Sequence, residues 1–174
     1  MKPATKTKIW ITLAITLLVW GHILWDYFHG GIPTHYLLHN KDLPGIPNWV
    51  GGIVLPFFSW VLLGRIQKRL QAKDSKENLS LVVYRFFCAL MIAIVIAVSF
   101  LEGIPITDYI MLGIFILAFI FPLYKSEYLL GWVLGSAFTF GAIIPIGFGS
   151  LFALVCFLFY VIGTFIKKLL GSKA

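Results

Sequence analysis

Long apolar runs and short polar segments alternate along the chain, and within the runs the apolar residues are continuous instead of following a period of two. Such runs predict helices, because a transmembrane barrel shows a two-residue alternation of lumen and lipid faces. Six runs stand out, at about Ile9–Phe28, Trp49–Leu63, Leu79–Leu101, Thr107–Tyr124, Tyr128–Ile144 and Gly149–Phe165. A crossing helix takes roughly 20 apolar residues, so six leave no room for a soluble domain in 174 positions. The pattern therefore predicts an all-α integral membrane protein, with a single transmembrane domain over residues 1–174. Its architecture is read as a six-transmembrane-helix bundle with a short interfacial or re-entrant segment between helices 1 and 2.

Composition agrees: 60% of residues are hydrophobic, 12% are charged and the mean hydropathy is +0.93, whereas a soluble domain carries about a quarter charged residues. The net charge of +7 matters through its placement. Lys2, Lys6 and Lys8 precede helix 1, and Arg65, Lys68, Arg69, Lys73, Lys76 and Arg85 are assigned to the stretch between helices 2 and 3. Lys125 follows helix 4, and Lys167, Lys168 and Lys173 follow helix 6. Six crossings put all of these on one side and only Lys41 on the other, so the positive-inside rule predicts cytoplasmic N- and C-termini, in a bacterial inner membrane. Residues 64–80 read as a solvated cytoplasmic connector whose basic amphipathic start, Arg65-Ile66-Gln67-Lys68-Arg69-Leu70, binds anionic lipid headgroups, with no nucleic-acid partner. The N-terminus imitates a signal peptide but has no small-residue cleavage site, so it reads as a retained first helix. Cys88 and Cys156 lie far apart inside predicted spans and read as core filler.

All four histidines fall between positions 22 and 39. His22, Asp26 and His29 are spaced i, i+4, i+7, which puts them on one stripe at the end of helix 1. His35, His39 and Asp42 repeat the spacing after Gly30-Gly31-Ile32-Pro33, where Pro33 is placed to open a short helix and Pro44 and Pro47 to end it. The segment 33–49 then reads as a lid that folds His35 and His39 over helix 1. Glu102 and Asp108 flank the loop between helices 3 and 4 on the same face. Imidazole and carboxylate suit a divalent metal, zinc above the others, and an ionisable group at membrane depth marks a functional site by default.

These residues lead to the expectation of a metal-dependent, hydrolase-type enzyme acting on a lipid or other amphiphile. His22, Asp26, His29 and His35 or His39 hold the ion, and Glu102 or Asp108 acts as general base. The alternative is a small transporter or accessory membrane subunit whose histidines bind protons or metal without catalysis. Structural roles alone also explain them, since interfacial histidines and aspartates hydrate, cap helices or bond a neighbouring helix. Gly131-x-x-x-Gly135 matches a close-packing pattern between membrane helices, and Pro56 and Pro122 mark bends or breaks. No phosphate loop, dinucleotide fingerprint or nucleophile elbow occurs.

Overall fold

The computed structural model describes residues 3–36, 42, 44–72 and 77–171. It is an all-helical membrane protein apart from one small hairpin. In chain order the elements are α1 (Pro3–Phe28), β1 (Thr34–Tyr36), β2 (Gly45–Pro47), a 3₁₀ turn (Asn48–Val50), α2 (Gly51–Leu70), α3 (Leu79–Leu101), α4 (Thr107–Ala118), α5 (Ser126–Phe140) and α6 (Ile143–Gly171). Four of the helices are long and apolar enough to cross a membrane: Thr5–Phe28, Asn48–Leu70, Leu79–Leu101 and Ile143–Gly171. The other two are shorter than predicted. Twelve residues in α4 and fifteen in α5 rise only about 18 and 22 Å, against a hydrocarbon core of about 30 Å. Pro122 interrupts the fourth apolar run, and Gly141, at φ +69°, ends α5 before Ile144.

Helices α1 and α2 pack antiparallel. Near one end Gly52 lies under Trp20 and Ile23, and near the other Lys8 lies beside Gly64. The proline inside α2 explains part of this pairing. Pro56 has no N–H to give to the carbonyl of Gly52 four residues earlier, and the Trp20 indole N–H donates to that oxygen instead, at 3.1 Å. The predicted bend at Pro56 is thus a place where a neighbouring helix completes the hydrogen bonding.

The tightest seam joins α3 and α5, which run in the same direction. A Cβ added at Gly131 would overlap the Phe86 carbonyl oxygen and stand 2.9 Å from the Leu90 nitrogen, and one at Gly135 would stand 2.6 Å from the Leu90 oxygen. The Gly-x-x-x-Gly pattern therefore lets two backbones touch. Behind this seam, α6 receives the end of α4, with Phe119 stacked on Phe159 at 4.7 Å and its backbone against Gly163. Buried Leu55, Leu62, Leu63, Leu130 and Val133 join α2 to α5.

The segment after α1 differs from its expected form. Gly30 and Gly31, at φ +123° and +99°, stop the helix, and the chain continues as a two-stranded antiparallel hairpin with Thr34 opposite Pro47, His35 opposite Ile46 and Tyr36 opposite Gly45. Pro33 does not open a short helix. Pro44 and Pro47, which lack N–H donors, and the β-favouring pair Thr34 and Tyr36 suit extended backbone. His35 thus sits on a strand and the helical i, i+4 relation to His39 is not made there. His39 itself lies outside the described residues.

Candidate functional site: an intramembrane groove with two polar ends

Helix α1 leans on α2 and the 3₁₀ turn, and a groove opens between α1 and α3, floored by α2 and α5. Its larger part has a volume of about 770 Å³, walled by residues such as Ile11, Ala14, Leu63, Val82, Phe86 and Leu130. A second part of about 270 Å³ continues toward the hairpin and reaches His22, Asn48 and Gly51. Ile15, Leu18, Phe86 and Leu134 line both parts, so the two adjoin end to end. The groove's two ends differ in chemistry.

At the basic end the groove meets Lys8, Gln67, Glu77 and Glu127. Glu127, in the first turn of α5, has no solvent exposure. It is held by Arg69 of α2, through a short ion pair to Oε2, and by Arg85 of α3, whose Nη1 is 3.2 Å from Oε1. The same Arg85 nitrogen is 3.1 Å from Glu77 Oε1, Arg69 Nη2 is 3.6 Å from Glu77 Oε2, and Lys125 donates to Glu77. Three cations and two carboxylates from four separate stretches of chain are thus brought together. Each carboxylate finds two or three donors, which is what a buried charge requires. The positive end of the α5 dipole adds to the hold on Glu127.

Burial pushes the Glu77 carboxyl up, but the hydrogen bond from Lys125, the charge of Arg69 and the hydrogen bond from Arg85 outweigh it and leave the carboxyl below its ordinary value of 4.5. A carboxyl depressed in the folded state contributes stability at pH above its unfolded value, and that stability is lost as the pH falls through the folded value. Thermal midpoints in detergent are therefore expected to hold from pH 7 to about 5 and to fall below about 4.5, with a shallower fall in Glu77→Gln. An equally steep acid transition in the variant would contradict the role given to this carboxylate.

The cluster corrects two readings of the sequence. The basic start of the 64–80 stretch is not a solvated connector: α2 continues to Leu70, Ile66 is buried and Arg69 turns inward to Glu127. Arg85 is not in the connector but inside α3, two turns from its start. For Arg85 the sequence carries the signal, since a lone arginine within an apolar helix needs a partner.

At the hairpin end, His22 faces the groove with its Nε2 3.6 Å from Asp26 Oδ2. Asn48, which is buried, reaches the same carboxylate oxygen with its Nδ2 at 3.5 Å, and its backbone N–H donates to the Pro33 carbonyl. This ties the 3₁₀ turn to α1. The other predicted ligands go elsewhere. His29 is exposed, stacked on Trp25 at 3.8 Å with Nδ1 2.9 Å from the Trp25 carbonyl oxygen. The His35 ring packs where a Cβ on Gly141 would stand, 2.7 Å from Cδ2, and Asp42 lies exposed in a turn. Among the described residues no group of three histidine, cysteine, aspartate or glutamate side chains converges on a metal-sized site. Glu102 caps the end of α3 and Asp108 starts α4, both exposed. Asp108 lines a separate hollow with Ser99 and Gly103, and neither acid lines the groove that His22 faces.

No family model matches the chain, and no curated protein or solved structure is significantly similar to it.

Proposed function

We propose that the protein binds a membrane amphiphile, taking its hydrocarbon chain into the groove between α1 and α3 and its headgroup to the basic end. The observation that carries this reading is the groove itself, apolar along its length and ending on Lys8, Gln67 and the carboxylates Glu77 and Glu127, which Arg69, Arg85 and Lys125 hold from behind. The five clustered charges sum to one positive, and Lys8 adds another. Its Nζ lies 3.7 Å from the centre of the Trp60 ring and pairs with no carboxylate among the described residues. Lys8 is the cation among the described residues that line the groove, and an anionic headgroup is its complement. The positive-inside rule assigns this end to the cytoplasm, with both termini there, in a bacterial inner membrane. The gathering of Lys8, Arg69, Arg85 and Lys125 at one end supports that orientation and an alternating path of six helices. In that path α4 and α5 are short crossings, accommodated by local thinning of the bilayer or by the turn after Ala118.

The test is the lipid that stays with the protein. Ala14 is exposed in the groove wall, so Ala14→Trp fills the space without disturbing a packed contact. Native mass spectrometry of wild type is expected to show a bound amphiphile, reduced roughly tenfold in Ala14→Trp, while the thermal midpoint changes little. Equal retention in both proteins would contradict the reading.

A second reading keeps the opposite end, where His22 faces the groove with Asp26 behind it: a metal-dependent, hydrolase-type activity on the same amphiphile, with zinc at His22, Asp26 and the hairpin. It predicts a stoichiometric metal in tag-free wild type that is lost in both His22→Ala and His35→Ala. Elemental analysis decides it, and metal absent after reconstitution with zinc would remove it.

A further inference from the structure

A second cavity lies between α3, α4, α5 and α6 and shares no lining residue with the groove. Its volume is about 280 Å³, near the small end of the roughly 300–1,000 Å³ that organic ligands occupy, which suits a ring better than a two-chain lipid. Among the described residues that line it none is charged. The lining side chains that form hydrogen bonds are Tyr84, Cys88, Tyr128 and Trp132, and each carries a donor hydrogen. Phe121 and Phe152 add to the aromatic wall, with the Phe152 and Trp132 planes within 19° of each other. Ile92, Leu117 and Phe121 line the cavity and are also exposed on the lipid-facing surface, so it opens sideways to the bilayer.

One group in that wall has an unmet need. The Trp132 Nε1 is buried and finds no acceptor among the described residues, although a buried indole N–H normally has one, as Trp20 does in the Gly52 carbonyl. Gly149 makes the room for it. A Cβ there would stand 2.7 Å from Trp132 Cδ1 and 3.1 Å from Nε1, so the N–H edge of the indole lies over bare backbone in the cavity wall. We infer that this cavity binds a flat, uncharged, lipid-soluble ring of the quinone class, one carbonyl oxygen of which accepts the Trp132 N–H. A lipid acyl chain in the same space leaves that donor unpaired, and a charged ring meets no countercharge among the lining residues. The site is separate from the groove, and its occupancy does not depend on the amphiphile proposed there.

The experiment compares two ligands of the same shape, 2,3-dimethyl-1,4-naphthoquinone and 2,3-dimethylnaphthalene, by calorimetric titration of the purified full-length protein in detergent. The methyl groups block thiol addition at the quinone ring, so Cys88 does not react with it. Wild type is expected to bind the quinone about tenfold more tightly than the hydrocarbon, the worth of one hydrogen bond to a buried donor. Trp132→Phe keeps an aromatic ring and drops the N–H, and should bring the two ligands to within about twofold of each other. Ala153 lines the cavity, so Ala153→Leu fills part of it and should weaken both ligands about tenfold. Equal binding of the two by wild type, or no binding of either, overturns the inference, the first leaving a plain apolar cavity that a lipid chain fills. A preference for the quinone that survives in Trp132→Phe, or binding unchanged in Ala153→Leu, overturns it as well, because the ligand then sits elsewhere. Should either variant not fold, indole ¹⁵N spectra of wild type decide: one of the six tryptophan N–H signals is expected to shift with the quinone and not with the hydrocarbon, and no such shift overturns the inference.

Discussion

Glu127→Ala is expected to lower stability by about 3–5 kcal/mol, the loss typical of removing one partner from a buried ion pair. Glu127 has no solvent exposure and touches two guanidinium groups from two other helices. Without it, Arg69 keeps Glu77 at 3.6 Å, and Arg85 must share that same carboxylate with Lys125. Glu127→Gln should lose less, because the amide oxygen still accepts a hydrogen bond while the charge is gone. Thermal unfolding in detergent measures both. A double cycle with Arg85→Gln should be clearly less than additive, since the two groups share one contact. Full additivity with a small loss would show that the cluster is a surface feature, against the burial described above.

Gly131→Leu is the second large effect. A Cβ there meets the backbone of α3 at Phe86 and Leu90, and backbone, unlike the end of a flexible side chain, does not rotate away. Overpacking of this kind costs about 1–3 kcal/mol and at times more, well beyond the roughly 1 kcal/mol that replacing a helical glycine returns through propensity. Gly131→Leu is expected to lower the yield of monodisperse protein and its midpoint. Gly113→Ala, where nothing stands within 4 Å, should leave both unchanged or slightly raised. If the two variants behave alike, the α3–α5 seam is not the contact that organises the bundle.

The parts of this fold that sequence reveals are those set by local physics. Continuous apolar runs located every helix, and Gly131-x-x-x-Gly135 marked the closest seam, because helix formation in lipid and backbone approach need no knowledge of distant residues. The end of α2 was harder to read. Arg65, Lys68 and Arg69 look like solvent-facing charges until Glu127, 58 residues beyond Arg69, is known to lie beside them. Reading charges as labels for loops fails where a helix carries a charge to a partner on another helix, as with Arg85. The histidines misled in the opposite way. Their closeness in sequence suggested closeness in space, yet His22 and His29 are separated by the fates of their own neighbours, one toward Asp26 and the other stacked on Trp25, and His35 belongs to a strand. Helical spacing brings side chains together only where the helix exists, and Gly30, Gly31 and Pro33 ended it.

The groove itself could not be read from sequence, because a gap between helices depends on which pairs pack. Here α2 holds α1 on one side through Gly52 and the Trp20 indole, while α3 closes on α5. Neither contact fills the space between α1 and α3.

Whether this space holds a lipid chain is measured by photocrosslinking. A lipid phosphate carrying a diazirine along its chain would be reconstituted with the protein, activated by light, and the labelled residues mapped by peptide mass spectrometry. A lipid chain in the groove places the labels at Ile15, Leu18, Phe86 and Leu134 and reduces them in Ala14→Trp. Labels spread evenly over the lipid-facing residues of α1 and α3, such as Leu17, Leu24 and Met91, and unchanged by Ala14→Trp, would contradict it.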